Sequence, residues 1–402
     1  MNKIEKMVKE LCPDGIEWKK LGEVTTKNQF KQIGANELEK LRVNGLTGLG
    51  NSIRLLPSSN NDDWWSNENV AKEYICYGEV ITLGRARYAN LKYHKGYFVS
   101  ANNNIIETKE NILICRFLYH FISHNAKKFY IETSTYPKFD VNIFDNFLIP
   151  IPPLEVQAEI VKILDNFTEL QAELQAELQA RKKQYEYYRD KLLSFDNILK
   201  RGGVVKKLGQ VLKSLNTGLN PRKFFVLNTN DANNYYVTIR EIRNGCIVFS
   251  DKTDKIDNNA LSLCNKRANL EKGDILFSGT GTIGITAVIR NKPYNWNIKE
   301  GIYSLKPYSK YINSYFLKYI LETEQVKTIY MNKAVGGTVK SIPMKELNHI
   351  EIPIPPIEVQ EEIVNILDKF ERICNSLTEG LPSEIAARKK QYEYYRDKLL
   401  SF

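Results

Sequence analysis

The chain has 402 residues, 43% of them hydrophobic and 26% charged. That balance suits a soluble protein of two or three domains and excludes wholesale disorder. No apolar run approaches the roughly 20 residues a bilayer crossing needs, and the N-terminus lacks an apolar signal core, so a cytoplasmic protein without membrane contact is expected. Lys plus Arg number 57 against 47 Asp plus Glu, a net charge of +10. Such an excess suits a polyanionic partner, with simple solubility as the alternative.

In chain order, residues 1–11 read as an amphipathic helix with interspersed Lys and Glu. A first variable region follows, in which 79–83 and 97–100 read as strands and 116–124 as a helix. His120 and His124 stand at i, i+4 without the Glu of a zinc-binding HExxH motif, so they read as surface residues. The six cysteines are scattered, none within four residues of another, which suits free thiols in a reducing compartment.

Ile149-Pro150-Ile151-Pro152-Pro153 cannot lie inside a helix, because proline lacks a donor and disfavours helix in the residue before it. It reads as an extended exit from a globular region. From Glu155 onward Ile160, Ile163, Phe167, Leu170, Leu174 and Leu178, then Tyr185, Tyr188, Leu192 and Phe195, recur at steps of three and four, as in a coiled-coil seam. Within this helix Gln-Ala-Glu-Leu occurs twice in succession, at 171–178. A short link, 196–203, leads to a second variable region with strands expected at 235–239, 247–250, 274–278 and 285–289 and a helix at 312–321.

The chain then repeats itself. Residues 149–167 match 352–370 at 15 of 19 positions, at an offset of 203. Residues 180–195 match 387–402 at all 16 positions, at an offset of 207. Lys19-Lys20-Leu21-Gly22 is echoed by Lys206-Lys207-Leu208-Gly209, and Gly78-Glu79-Val80 by Gly273-Asp274-Ile275. The change of offset is a four-residue stutter at Gly380-Leu381-Pro382, which should end one helical segment and start another near Ser383. The short link puts the second region at the C-terminal end of the first long helix. For its seam to pack on the first, the second helix must return antiparallel. The alternative is that each helix folds back on its own domain.

Gly279-Thr280-Gly281-Thr282-Ile283-Gly284 has the form GxGxxG, yet the following Ile285-Thr286-Ala287-Val288-Ile289 is strand-like, where a dinucleotide site needs a helix. Asn291-Lys292-Pro293-Tyr294 differs by one residue from the Asn-Pro-Pro-Tyr site of adenine methyltransferases, but no cofactor loop precedes it. No P-loop lysine, catalytic triad or carboxylate pair stands out, so no catalytic residue, metal site or cofactor is assigned. Basic, aromatic and hydroxyl residues do interleave in both variable regions. Candidate DNA contacts are Arg85, Arg87, Tyr88, Lys92, Tyr136 and Lys138 in the first, and Arg240, Thr280, Thr282, Thr338, Lys340 and Ser341 in the second. Arg and Lys suit phosphates and guanine edges, and Thr and Ser suit phosphates or either base edge.

Taken together, the chain resembles the specificity (S) subunits of type I restriction–modification systems. Leu11-Cys12-Pro13-Asp14-Gly15, Gly273-Asp274-Ile275-Leu276-Phe277, Gly337-Thr338-Val339-Lys340-Ser341, the Ile-Pro-Ile-Pro-Pro-x-Glu-Val-Gln junctions and the repeated Arg-Lys-Lys-Gln-Tyr-Glu-Tyr-Tyr-Arg-Asp-Lys-Leu-Leu helix ends carry the likeness. It implies an α+β chain: two similar α/β target recognition domains, separated by an antiparallel two-helix coiled-coil rod, in a pseudo-two-fold internal repeat. The expected boundaries are 1–150 and 199–353 for the recognition domains, with 151–198 and 354–402 as the helices. The implied role is non-catalytic recognition of a bipartite double-stranded DNA target. Two methylation subunits, which bind S-adenosylmethionine, would dock on the helices, with restriction subunits joining optionally. Lys182, Lys183, Tyr187 and Arg189, and their copies Lys389, Lys390, Tyr394 and Arg396, are the candidate partner-binding residues, since packing alone does not demand identity at exposed positions; recent duplication is the other explanation. A coiled-coil scaffold with non-specific nucleic-acid binding is the alternative function.

Overall fold

The computed structural model describes residues 3–48, 50–85, 90–109, 111–375 and 380–402. The chain forms two compact units: residues 1–173 with 385–402, and residues 174–384. A continuous 39-residue helix, Leu154–Leu192, gives its first half to the first unit and its second half to the second. The other long helical stretch is interrupted as expected: one helix ends at Asn375 and the next spans Leu381–Leu400, with Pro382 in its first turn. No helix among the described residues is long and apolar enough to cross a membrane.

In the first unit the central strands Cys76–Gly84, Lys92–Ala101 and Asn103–Thr108 are antiparallel neighbours. Ile53–Leu56 and Gln32–Ile33 add to Lys92–Ala101 in parallel. Helix Cys115–Asn125 lays Phe117, Leu118, Phe121 and Ile122 over Ile81, Leu83 and Ile106. In the second unit Leu212–Thr217, Ile302–Pro307, Ile275–Ser278 and Thr286–Val288 form one antiparallel sheet. Helix Ser314–Leu321 covers it through Phe316, Leu317 and Ile320. Residues 279–284 therefore link two antiparallel strands, a topology without the helix that a dinucleotide site requires.

The sequence repeat is reproduced bond by bond. Glu17–Lys20 pairs with the proline-containing strand Leu148–Ile151, and Val204–Lys207 pairs likewise with Glu351–Ile354. The next residue in each case donates back across the pair, Leu21 N–H to Phe147 O and Leu208 N–H to Ile350 O, both at 2.9 Å. The glycine of each Lys-Lys-Leu-Gly echo is then crowded. A Cβ on Gly209 would stand 2.4 Å from Asn348 Oδ1, and one on Gly22 3.0 Å from Asp145 Cβ.

The strongest common element is a buried glutamine. Gln157 Nε2 donates to Pro152 O and to Ile112 O, both at 2.8 Å, and its Oε1 accepts from Ile114 N–H at 2.8 Å. Gln360 repeats this with Pro355 O, Tyr311 O and Asn313 N–H at 2.9, 3.0 and 2.9 Å. Each glutamine ties the first turn of a long helix to the loop that starts the domain's own inner helix. Two turns on, Asp165 receives His120 and Arg116, while Asp368 receives the Tyr319 hydroxyl at 2.5 Å.

These contacts correct two expectations. His120 is buried, with Nε2 2.8 Å from Asp165 Oδ1, and His124 is half-buried with Nδ1 3.2 Å from Asp397 Oδ1. Burial lowers the His120 pKa against the pull of Asp165. Burial opposes ionisation of Asp165, but the hydrogen bond from His120 and the charge of Arg116 prevail and hold its pKa down. The early helical turns also bury residues off the seam: Val156 and Leu164 join seam residue Ile160 in the first unit's core, and Val364 and Leu367 join Ile363 in the second's. In the second helical stretch, where the same steps of three and four run through Ile363, Ile366, Phe370, Ile373 and Leu377, Ile373 is exposed and Leu377 lies outside the described residues.

Replacing either glutamine should test how much these ties hold. Gln157→Ala or Gln360→Ala leaves a buried N–H and two carbonyls without partners, at a cost of about 2–3 kcal/mol. Urea denaturation should show a lower midpoint at unchanged slope for each variant.

Candidate nucleic-acid interface

In the second unit, two segments far apart in sequence meet beyond the end of strand Ile275–Ser278. Gly281 N–H donates to Lys340 O at 2.8 Å, Ile342 N–H to Gly279 O at 2.9 Å, and the Thr280 and Ser341 hydroxyls stand 3.2 Å apart. Paired bonds between Val335 and Ser341, at 2.7 and 2.8 Å, close the 335–341 loop. Ser278 Oγ holds the base of the other loop, donating to Thr282 O at 2.6 Å and accepting from Ile285 N–H at 2.7 Å. Gly279 is required here, since a Cβ would lie 2.2 Å from the Tyr303 ring, whose hydroxyl in turn donates to Ile342 O. Five candidates, Thr280, Thr282, Thr338, Lys340 and Ser341, are thus brought to one place. The first four are exposed and Ser341 is half-buried.

The surface so formed carries hydroxyls, free loop edges and one cation, with no carboxylate in 279–284 or 335–341. Gly279 N–H also donates to Gly301 O at 2.7 Å, and Leu219 bridges to Lys299. Exposed Lys299, Arg222 and Lys223 lie on the segments so joined to the loop; Arg222 and Lys223 belong to the interleaved basic and aromatic residues of the second variable region, whereas nothing in the sequence pattern singled out Lys299. Arg240 is exposed but engaged, its guanidinium 2.6 Å from Asp254 Oδ2.

The first unit places Arg85 immediately after strand Cys76–Gly84, and Phe139 N–H donates to Arg85 O at 3.2 Å, which sets exposed Lys138 beside it. The Arg85 guanidinium donates to Gln32 Oε1 and to Asn103 O, both at 3.2 Å. Tyr136 is exposed in the turn that Thr133 Oγ1 closes on Tyr136 O at 2.6 Å. Arg87 and Tyr88 lie outside the described residues. Lys92 contradicts its assignment. It is only 5% exposed, and its ammonium donates to Pro57 O at 2.9 Å and Ser59 O at 2.8 Å. Burial pulls its pKa down to about 8, partly offset by Asp62 and reinforced by Arg54. A buried ammonium bonded to carbonyls has no free face for a phosphate.

The repeated helix ends divide into packed and open positions. Tyr188 stacks on Phe370 in the second unit, with centroids 5.8 Å apart, and its copy Tyr395 stacks on Phe167 in the first, at 5.5 Å. Leu193 and Leu400 are both buried. Packing thus accounts for part of the identity that duplication or a shared partner was invoked to explain. Tyr187 and Tyr394 remain open, at 60% and 61% exposure, as do Lys183, Lys389 and Lys390. Lys182 is half-buried. Arg189, expected on the surface, is only 8% exposed and pairs with Asp190 at 2.9 Å, whereas its copy Arg396 is half-buried. Among the described residues no His, Cys, Asp and Glu cluster is fit to hold a metal.

Residues 13–181 and 201–387 match the type I restriction modification DNA specificity domain. The chain belongs to this family. A Haemophilus influenzae protein assigned to the type I restriction enzyme specificity subunits is 32% identical over 96% of both chains. The EcoR124I/EcoR124II type I restriction enzyme specificity subunit of Escherichia coli is 32% identical over 75% of this chain and 74% of its own. Two solved structures share the fold. A chain from a study of complex assembly in the type I restriction–modification system has a TM-score of 0.60 and 17% identity, covering 96% of this chain and 98% of its own. The S subunit from M. genitalium has a TM-score of 0.55 and 14% identity, covering 96% and 97%.

For a DNA specificity protein the two loop cations should act on phosphates. Lys340→Ala and Lys138→Ala should each weaken binding to cognate and unrelated duplexes alike and reduce the slope of log affinity against log salt by about 1. Titrations at several salt concentrations measure this, and unchanged slopes for both variants would remove the two lysines from the interface.

Proposed function

We propose that this chain is the DNA-reading, non-catalytic subunit of a type I restriction–modification complex, in which each unit reads one half of a bipartite target. The observation that carries this is the same hydrogen-bonded scaffold built twice, with a loop pair of different chemistry at the corresponding place: Arg85 and Lys138 in one, Thr280, Thr282 and Lys340 in the other. One scaffold with two reading surfaces suits an asymmetric split sequence. Methylation subunits bind S-adenosylmethionine and carry out the reaction, restriction subunits join them optionally, and this chain supplies the address.

Two copies of one partner would find the same exposed groups twice, Lys183 with Tyr187 and Lys390 with Tyr394. Lys183→Glu together with Lys390→Glu should leave cooperative unfolding of the chain intact and abolish co-purification of the methylation subunits. Normal assembly would assign the identity to packing and duplication.

The long helices act as the spacer. Phe167 stacks near the end of the last helix, and Phe370 near the end of the first. An antiparallel pairing of the two helices satisfies both contacts. The Gln-Ala-Glu-Leu unit is helix-forming and adds about 6 Å and about 40° per four residues. One base pair adds about 3.4 Å and roughly 34–36°. A third unit inserted after Leu178 should therefore lengthen the unread gap by one or two base pairs and keep both half-sites. Methylome sequencing of a host carrying the chain with its methylation subunits tests both readings. A split methylated motif supports recognition, and its absence favours a scaffold that binds nucleic acid non-specifically. An unchanged gap in the insertion variant would detach the helices from spacing.

A further inference from the structure

A buried lysine next to the first unit's interface has no evident stabilising purpose. Taking an ammonium out of water is costly even when it is hydrogen-bonded, and an apolar side chain of similar volume is often no worse for stability. Lys92 spends that cost on one segment. Its Nζ donates to Pro57 O and Ser59 O, Asn90 Nδ2 adds a longer bond to Pro57 O at 3.5 Å, and Asn103 Nδ2 donates to Leu56 O at 3.0 Å. The far end of the segment is held as well. Arg54 pairs with Asp62 Oδ1 at 2.6 Å and lies over the Trp65 ring at 4.6 Å.

Between these anchors, Ser58, Ser59, Asn60, Asn61, Asp62 and Asp63 are all exposed. Ser58 O lies close to Gly84, 3.7 Å from where a Cβ on it would stand, and Gly84 leads directly into Arg85. Asn103 links the two further, since its side chain holds Leu56 O while its carbonyl accepts from Arg85. The exposed run contains no cation, so it cannot neutralise phosphates. Its side chains are those that read base edges: Asn pairs with adenine, Asp accepts from cytosine, and Ser suits either. A loop of this composition beside Arg85 and Lys138 divides the labour, with cations on the backbone and amides in the groove.

We propose that Ser58–Asn61 is a base-reading loop of the first half-site and that Lys92 is its positioning residue, fixing the loop's backbone from below without touching DNA. This rests on the reading that the first unit binds DNA. Lys92 then governs which bases are preferred and leaves the strength of backbone binding alone.

The test uses the full chain assembled with its methylation subunits and duplexes carrying the cognate target or single-base changes in one half-site. Lys92→Met keeps the apolar stem and removes the ammonium. The expected result is a loss of about tenfold or more in preference for the cognate over first-half-site variants. Discrimination at the second half-site, affinity for unrelated DNA and the salt slope should all be unchanged. A uniform loss of affinity with a salt slope reduced by about 1 would mean that Lys92 meets a phosphate, and would overturn the proposal. If Lys92→Met fails to assemble, the exposed double variant Asn60→Ala/Asn61→Ala decides. Altered base preference in the first half-site supports the loop, and unchanged preference overturns it. A wild-type complex with no cognate preference at either half-site would instead refute the underlying function.

Discussion

Each long helix has to be rigidly joined to the domain it leaves, and a single buried amide does this in both halves. Pro153 O and Pro356 O accept the first helical N–H groups, from Val156 and Gln157 and from Val359 and Gln360, so the backbone closes each first turn by itself. Gln157 and Gln360 then tie that turn to the domain by bonding the carbonyl of a preceding proline and both polar groups of a neighbouring loop. With that turn fixed, the next apolar positions fall into the domain core, and Asp165 and Asp368 come opposite the inner helix. A buried, fully bonded side-chain amide is geometrically exacting, and in both halves it sits inside the closely repeated stretches 149–167 and 352–370.

Around this common frame the two halves solve the same contact with different chemistry. Asp165 is met by an imidazole and a guanidinium, Asp368 by a phenol that also reaches Glu371 at 2.7 Å. Beside Tyr319, Lys318 is buried against Glu371 at 2.5 Å. The helix ends show the converse: one sequence in two surroundings. Tyr188 and Tyr395 find matching phenylalanines, while Arg189 is buried and Arg396 is not. Identity in sequence therefore covers the frame and the packed faces, and it extends to Tyr187 and Tyr394, which stay exposed.

The candidate contact loops follow a separate logic. In both units the loop after a central strand meets the segment that precedes the short helix before the junction, as seen in the bonds Phe139 N–H to Arg85 O and Gly281 N–H to Lys340 O. Main-chain bonds hold these loops, so their side chains are free to differ. That separation lets the surface change its chemistry while the domain keeps its fold.

Local pattern was enough for the repeats, the proline-containing exits, the two long helical stretches with their break at Gly380 and Pro382, and the strands ending at Ser278 and Gly84. Periodicity, proline stereochemistry and self-similarity are properties of adjacent residues, and they survive without knowledge of neighbours in space. The family likeness was legible for the same reason, and so was the grouping of Thr280, Thr282, Thr338 and Lys340 as candidates. Burial was not. Lys92 resembled Arg85 in sequence, His120 resembled a surface histidine, and Arg189 resembled Lys183. Only the folded chain separates them, because Pro57, Ser59 and Asp165 approach from 33 to 45 residues away. Whether a charged group meets solvent or a carbonyl depends on which distant backbone closes over it, and no local pattern encodes that approach.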